Sequence, residues 1–508
     1  MLEPLHHALE AAARDYGDRP ALLFGDDSCT YTEVNTRAEA FAGELAAAGV
    51  GRGDRVAVMS GNRPEFVAVI NAVSKLGAAT VLISPAWKQR EVGAAVDLTA
   101  PSYAVADGPG VAILTDLLDE SRVRDLDAGA AAVSVGRTTV DVTLDDDAVF
   151  VFSSGTTGLP KAVRHKHRSM AHAVDHWVET LGLTRDDRFQ VATPPSHILG
   201  LLNLFTATAA GATVRLHPRF DLDEVLRRIE SDRMTLEMAV APIALAIANH
   251  PRLEEMDLSS LRYIMWGATP VTPAVAEVVT RRSGVRWLPA YGASELPVIA
   301  VNPVHEPERW RLDSAGLPPK GVELRVIDLD SREVLPPGEV GEIQVRSPSV
   351  MAGYLPDEAN ADAFDDGWYR TGDVGWLEPE GWVHLTDRSK EMIKVNGFQV
   401  APAEIEAVLH GHPGVRDCAV FGVPDERAGE LPVAAVSVDT THPVTATELQ
   451  QLVADSLATY KHVQAVVVVD EIPRLPSGKV LRRTLRDEWA PRLERRVGAQ
   501  PPLKDTAT

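Results

Sequence analysis

The sequence predicts an α/β protein in two parts: a large N-terminal layered α/β domain that includes a β-rich subdomain, followed by a small C-terminal α+β domain. Three observations predict it. The chain has 508 residues, too many for one compact core. Strand, helix and strand follow one another repeatedly before Glu323. The texture then changes twice, to short β-rich runs at about Glu323 and to a separate small pattern near Asp387–Lys390.

Taken in order, residues 5–16 and 32–49 are Ala-rich with charges at helical spacing, and Gly49–Gly53 breaks the second helix. Arg55–Met59 reads as a buried strand, Pro64–Leu76 as a helix and Ala78–Ile83 as another strand, which together make a parallel crossover unit. The pattern recurs at Ala212–Leu216, Leu222–Ser231, Leu236–Val240 and Arg262–Met265. From Glu323 the runs ELRVID, GEIQVRS and GWVHLTD alternate with Gly and Pro turns. Beyond Lys390 lie a Pro-led helix at Pro402–Leu409, strands at Cys418–Val423 and Val433–Val438, and a helix opened by the capping box Thr445–Glu448. The β-branched run 466–469 and a basic segment follow. The domains are therefore expected at 1–387, with the β-rich part at about 323–387, and at 391–495, with a disordered tail over 496–508.

Bulk composition excludes several classes of function. Lys plus Arg total 50 against 72 Asp plus Glu, a formal net charge of -22. So acidic a surface repels a phosphate backbone, so no nucleic-acid partner is expected, and any anion site must gather its cations locally. Cys29 and Cys418 are far apart and have no His or Cys neighbours at metal-ligand spacing, which excludes a disulfide framework and a cysteine zinc site. The N-terminal residues carry no signal-peptide pattern, and no apolar run approaches the roughly 20 residues of a membrane span. A cytoplasmic protein with no membrane partner is expected.

The chemistry concentrates in short motifs. An apolar strand at Val149–Phe152 runs into SSGTTGLPK, Ser153 to Lys161. Gly155 and Gly158 let backbone amides turn toward a phosphate, Ser153, Ser154, Thr156 and Thr157 add hydroxyls, and Lys161 adds charge. It is not a Walker A loop, because Leu159 and Pro160 separate Gly158 from the lysine. A generic Gly/Ser/Thr loop is usually a polar hairpin turn; nine residues in this order are more specific.

This segment resembles the signature loop of the adenylate-forming superfamily: acyl-CoA synthetases, beetle luciferases and peptide-synthetase adenylation domains. The resemblance continues in order along nearly the whole chain. Pro194–Gly200 (PPSHILG) is similar to the family's segment with a His near the acyl pocket, and Tyr291–Glu295 (YGASE) to its Tyr-Gly-x-Thr-Glu motif, with Ser294 in place of Thr. Tyr369–Asp373 (YRTGD) resembles the ribose-holding strand end, and Asp387–Glu406 resembles the hinge motif of 4-coumarate–CoA ligases. Pro476–Lys479 (PSGK) resembles the closing motif that carries the catalytic lysine.

The resemblance implies ATP-dependent activation of a small-molecule acid as its AMP anhydride, with coenzyme A as the next acceptor. Lys479 would bridge the carboxylate and the α-phosphate, where two anions meet and charge neutralisation dominates. Glu295, with Thr156, would hold Mg²⁺, a hard cation that takes one or two carboxylates plus phosphate oxygens. The phosphate loop from Ser153 through Gly158 and Lys161 would take the β- and γ-phosphates. Asp373 would accept the ribose hydroxyls with Arg388 assisting, and Gly267, Ala268, Thr269 and Pro270 with Tyr291, Gly292, Ala293 and Ser294 would wall the adenine. His197, Leu201, Trp266 and Leu296 would line the acid pocket. Two departures stand out: Ser196 where the family commonly has an aromatic, and Trp266, which either shortens the pocket or fills core on the strand's other face. The resemblance also makes the C-terminal domain mobile about a hinge at 388–390, with Lys390 as pivot, and gives Asn396, Gly397 and Phe398 to the coenzyme A tunnel. Transfer to a carrier protein, or activation of an unusual acid such as nitrite, remains open beside the coenzyme A reading, as does a homodimer.

Overall fold

Arg55–Met59, Ala79–Leu82 and Tyr103–Ala106 are short runs of Val, Ala and Leu that fill both faces of a sheet, and they pair in parallel at its centre. The computed structural model describes residues 2–129, 140–153, 161–239, 241–267, 273–396, 398–425, 427–439, 442–474 and 480–497. The seven strands of this sheet run in the order Gly353–Leu355, Lys161–Lys166, Asp147–Ser153, Ala79–Leu82, Arg55–Met59, Tyr103–Ala106, Val123–Asp125. The antiparallel pair Asp147–Ser153 and Lys161–Lys166 is a hairpin, with Ser153 directly opposite Lys161.

Two four-stranded sheets complete the large part. One joins Asp27–Thr30, Pro20–Phe24, Thr213–Leu216 and Arg188–Val191; the other joins Leu236–Ala239, Tyr263–Trp266, Trp287–Tyr291 and Ala300–Val301. The helices His167–Leu181 and Ile198–Ala210 pack against each other in the main core. The second helix is mostly apolar and buried along most of its length, with Asn203, Thr206 and Thr208 as its polar residues. The β-rich part is a five-stranded antiparallel sheet that includes Gly341–Arg346, Trp368–Leu377 and Val383–Arg388.

The C-terminal part is α+β, as expected. Val415–Asp425 and Gly429–Val438 form its long central hairpin, with Ala465–Val468 added in parallel. The helix Ala446–Ser456 starts at the predicted capping box, in which the Thr445 hydroxyl accepts the Glu448 amide and the Glu448 carboxylate accepts the Thr445 amide. The basic segment is the helix Arg482–Val497, so the helix takes the first two residues of the expected tail, and residues 498–508 lie outside the described residues. Arg482 is ion-paired with both Glu391 and Glu406. At the junction, Asp387 Oδ2 accepts the amide of Ala403, in the first turn of the helix Pro402–His410, at 3.0 Å. Burial pushes the Asp387 carboxyl up to about 6. Among the described residues, no helix is long and apolar enough to cross a membrane.

Candidate active site

The helix Ile198–Ala210 begins in a tight turn that PPSHILG dictates. His197 is its N-cap, in extended conformation, and the His197 amide donates to Pro194 O at 3.0 Å. A Cβ at Gly200 would stand 2.8 Å from Pro194 O, so only glycine closes this turn. The imidazole Nδ1 accepts the Leu199 amide, and burial lowers its pKa, so the ring is neutral with its proton on Nε2. His197 thus presents a donor to a cavity of about 950 Å³.

One wall of that cavity is apolar, formed by Trp177, Ile198, Leu199, Leu202 and Ala290. The opposite character comes from Glu295, Tyr354, Gly372 and Arg388. Lys161, Arg370, Arg388 and Lys390 line the cavity beside the carboxylates of Glu295, Glu342, Glu358, Asp362 and Glu391, and Arg370 is paired with Glu342.

YGASE is a tight loop that leaves the strand Trp287–Tyr291. A Cβ at Gly292 would meet Pro297 O at 2.1 Å, so the loop can close only around glycine. The Ser294 carbonyl accepts Nε2 of fully buried His165 at 2.8 Å; burial lowers that imidazole to about 4 and keeps it neutral. The Met351 amide donates to the Glu295 carbonyl at 2.8 Å. These bonds fix the peptide, and the Tyr354 hydroxyl fixes the side chain by donating to Glu295 Oε1 at 2.8 Å. Lys161 Nζ stands 5.2 Å from the centre of the Tyr354 ring.

Asp373 and Arg388 are directly opposite in the antiparallel pair Trp368–Leu377 and Val383–Arg388. Arg388 Nε approaches Asp373 Oδ1 at 3.0 Å, and the Tyr291 hydroxyl donates to Oδ2 at 2.6 Å. The neighbouring carboxylate holds Arg388 more firmly protonated, and burial beside that charge pushes the Tyr291 hydroxyl well above its ordinary range.

Of the expected site residues, Ser153, Lys161, His197, Gly267, Tyr291, Gly292, Ala293, Ser294, Glu295, Arg388 and Lys390 share this cavity, and Asp373 is bonded to two of them. Three acid-pocket expectations need correction. Trp266 is 1% exposed and packs edge-on against Trp287 at 5.1 Å, so it fills core on the far face of its strand. Leu201 points into the main core, about 100° around the helix from Leu202, and Leu296 is fully buried behind the YGASE loop. Asn396 and Phe398 lie in the C-terminal part away from the cavity wall; Phe398 stacks on Tyr460 at 4.5 Å. Ser154, Gly155, Thr156, Thr157, Gly158, Ala268, Thr269, Pro270, Gly397 and Lys479 lie outside the described residues. Sequence reading missed Trp177, Tyr354 and His165. None belongs to a motif, and Trp177 looks like any apolar position of an amphipathic helix.

A cavity with a neutral histidine beside an apolar wall and a carboxylate paired to an arginine fits an adenylate-forming enzyme. The chain belongs to that family: the AMP-binding enzyme family matches residues 9–355, and the AMP-binding enzyme C-terminal domain matches residues 404–479. It is 35% identical to 4-coumarate–CoA ligase 2 of Oryza sativa subsp. japonica, over 96% of this chain and 92% of the relative. Among solved structures it resembles ATP-bound MatB from Rhodopseudomonas palustris, at a TM-score of 0.87 and 28% identity over 95% of this chain and 99% of that one. It likewise resembles the amide bond synthetase McbA from Marinactinospora thermotolerans, at 0.86 and 32% identity, with 95% and 99% covered.

Proposed function

We propose that the chain activates a small carboxylic acid as its acyl adenylate with ATP and Mg²⁺, then transfers the acyl group to coenzyme A. The observation that carries this reading is the single cavity in which an apolar wall with a neutral His197 adjoins the Glu295, Asp373 and Arg388 cluster. An acid oxygen attacks the α-phosphorus, the α–β bridging bond breaks, and pyrophosphate leaves with the electron pair. Coenzyme A thiolate then attacks the acyl carbon, and AMP leaves.

His197 Nε2–H donates to the acid's carboxylate and orients it. Asp373 accepts the ribose hydroxyls, with Arg388 Nε paired to its Oδ1. Lys161 and Lys390 supply positive charge along the cavity, and Lys479 neutralises charge on the α-phosphate. For the metal, no group of three or more His, Cys, Asp or Glu among the described residues could cage an ion. A single oriented carboxylate at Glu295 instead suits Mg²⁺ that draws its other ligands from phosphates and water. When bound there, Mg²⁺ neutralises phosphate charge. Reorientation of the C-terminal part about 388–390, with Lys390 as pivot, would let one cavity serve both half-reactions.

A second reading, transfer to an acceptor other than coenzyme A, draws on the likeness to McbA. It covers transfer to an amine or a carrier protein, and adenylation of an unusual acid such as nitrite. The experiment incubates the protein with ATP, Mg²⁺ and an acid panel, with and without coenzyme A. AMP release with an acyl-CoA mass is expected. AMP release without any coenzyme A adduct would move the assignment to the second reading.

A further inference from the structure

Trp177 has no role in the reading above, yet its indole forms part of the cavity wall while only 4% exposed. It projects from the last turns of the helix His167–Leu181. A buried indole N–H needs an acceptor, and here Nε1–H donates to Asn203 Oδ1 at 2.9 Å, with Asn203 itself 1% exposed. Asn203 belongs to the same helix that His197 caps, one residue beyond the cavity-lining Leu202.

The geometry points to Trp177, held by Asn203, as the stop that limits the length of acid the enzyme accepts. This rests on the reading that His197 meets the acid's carboxylate. From His197 to Asn203 the helix rises about 9 Å. Between these levels the cavity wall is Ile198, Leu199 and Leu202, which offer contact but no hydrogen bond. An acid that engages His197 therefore runs beside an apolar wall towards the level of Asn203, which holds the indole and lies about 9 Å along the helix axis, the reach of a single aromatic ring or a short alkyl chain. The stop is fixed in place: the indole cannot swing aside without leaving its N–H and the Asn203 carbonyl unpaired in the core. The substrate class is thus short apolar acids, aryl or alkyl, and long-chain fatty acids are excluded. Trp177 is a specificity-determining residue, and Asn203 a positioning residue that acts through it.

The test is acid-dependent ATP–pyrophosphate exchange, which reads adenylation without any acceptor, over straight-chain acids from acetate to dodecanoate plus benzoate and 4-phenylbutanoate. Wild type should favour the short members, and Trp177→Ala should raise the kcat/KM ratio of long to short acids by about tenfold or more, with KM for ATP within about twofold of wild type. Trp177→Phe should fall between, and serves alone if the alanine variant does not fold. Asn203→Leu should lower the discrimination, and Asn203→Asp, which keeps the acceptor, should restore it. An unchanged rank order of acids in folded Trp177→Ala or Trp177→Phe would overturn the inference. A wild-type enzyme that exchanges with no carboxylic acid would instead overturn the reading on which it rests, so the two failures are distinct.

Discussion

Replacing Asp373 with alanine tests the nucleotide half of the cavity most directly. A carboxylate offers about four lone-pair positions. The Tyr291 hydroxyl takes one on Oδ2 at 2.6 Å and Arg388 Nε takes one on Oδ1 at 3.0 Å, which leaves one on each oxygen for the two ribose hydroxyls. A hydrogen bond to a charged acceptor contributes about 1.5–3 kcal/mol, so the loss of one weakens binding about ten- to a hundredfold. Asp373→Ala removes both, and it also strips the buried Tyr291 hydroxyl of its acceptor and Arg388 of its counter-ion. Water entering the vacated space recovers part of the loss, so KM for ATP should rise about a hundredfold. The discriminating assay compares ATP with 2′-deoxyATP in pyrophosphate exchange at saturating acid. Wild type should prefer ATP by about tenfold or more, because its site is built to bond the hydroxyl, and Asp373→Ala should treat the two alike. An alanine variant that still discriminates as strongly as wild type would refute the placement of the ribose.

Three further outcomes follow from other parts of the molecule. Tyr354→Phe removes the donor that orients Glu295, and a bond of about 1 kcal/mol should raise the Mg²⁺ needed for half-maximal exchange severalfold; an unchanged Mg²⁺ titration would count against that role. Glu237, buried on the strand Leu236–Ala239 and accepting Gln190 Nε2 at 2.7 Å, is raised by burial from 4.5 to about 8. Between these values the folded chain holds one proton more than the unfolded chain, so stability falls as pH rises, by at most about 1.4 kcal/mol per pH unit, and levels off above the folded value. Glu237→Gln should remove that slope, and equal pH dependence of chemical denaturation in both proteins would show that Glu237 does not titrate this way. Lys390→Pro fixes φ at the pivot; pyrophosphate exchange should persist while thioester turnover collapses, and wild-type thioester turnover would dismiss the hinge.

The fold was legible wherever one physical signal dominated. Buried parallel strands such as Arg55–Met59 announce themselves as β-branched and Ala runs, and Thr445 with Glu448 marks a helix start by chemistry alone. The helix Ile198–Ala210 is different: buried along most of its length, it has no period that tells cavity from core. That is why Leu201 was expected in the acid pocket while its neighbour Leu202 lines it. Trp266 and Gly267 show the same limit, since one faces core and the other the cavity. Proximity to a motif gives the neighbourhood of a side chain, but not its direction. Trp177 was invisible for the converse reason, because only the packing of its helix against the next one brings it to the wall.

The bond from the Ala403 amide to Asp387 bears on the proposed turn of the C-terminal part about 388–390. Ala403 lies in the first turn of the helix Pro402–His410, where amides have no partner within the helix. In the proposed turn Asp387 would be a latch across the junction at 388–390, because carrying the helix away would open this bond. Losing such a cap costs about 0.5–2 kcal/mol, enough to shift the balance between two orientations by a few-fold to about thirtyfold. An ionised carboxylate grips an amide more tightly than a neutral carboxyl does. Because burial sets that ionisation near 6, the latch is firm in neutral solution and slackens in mild acid.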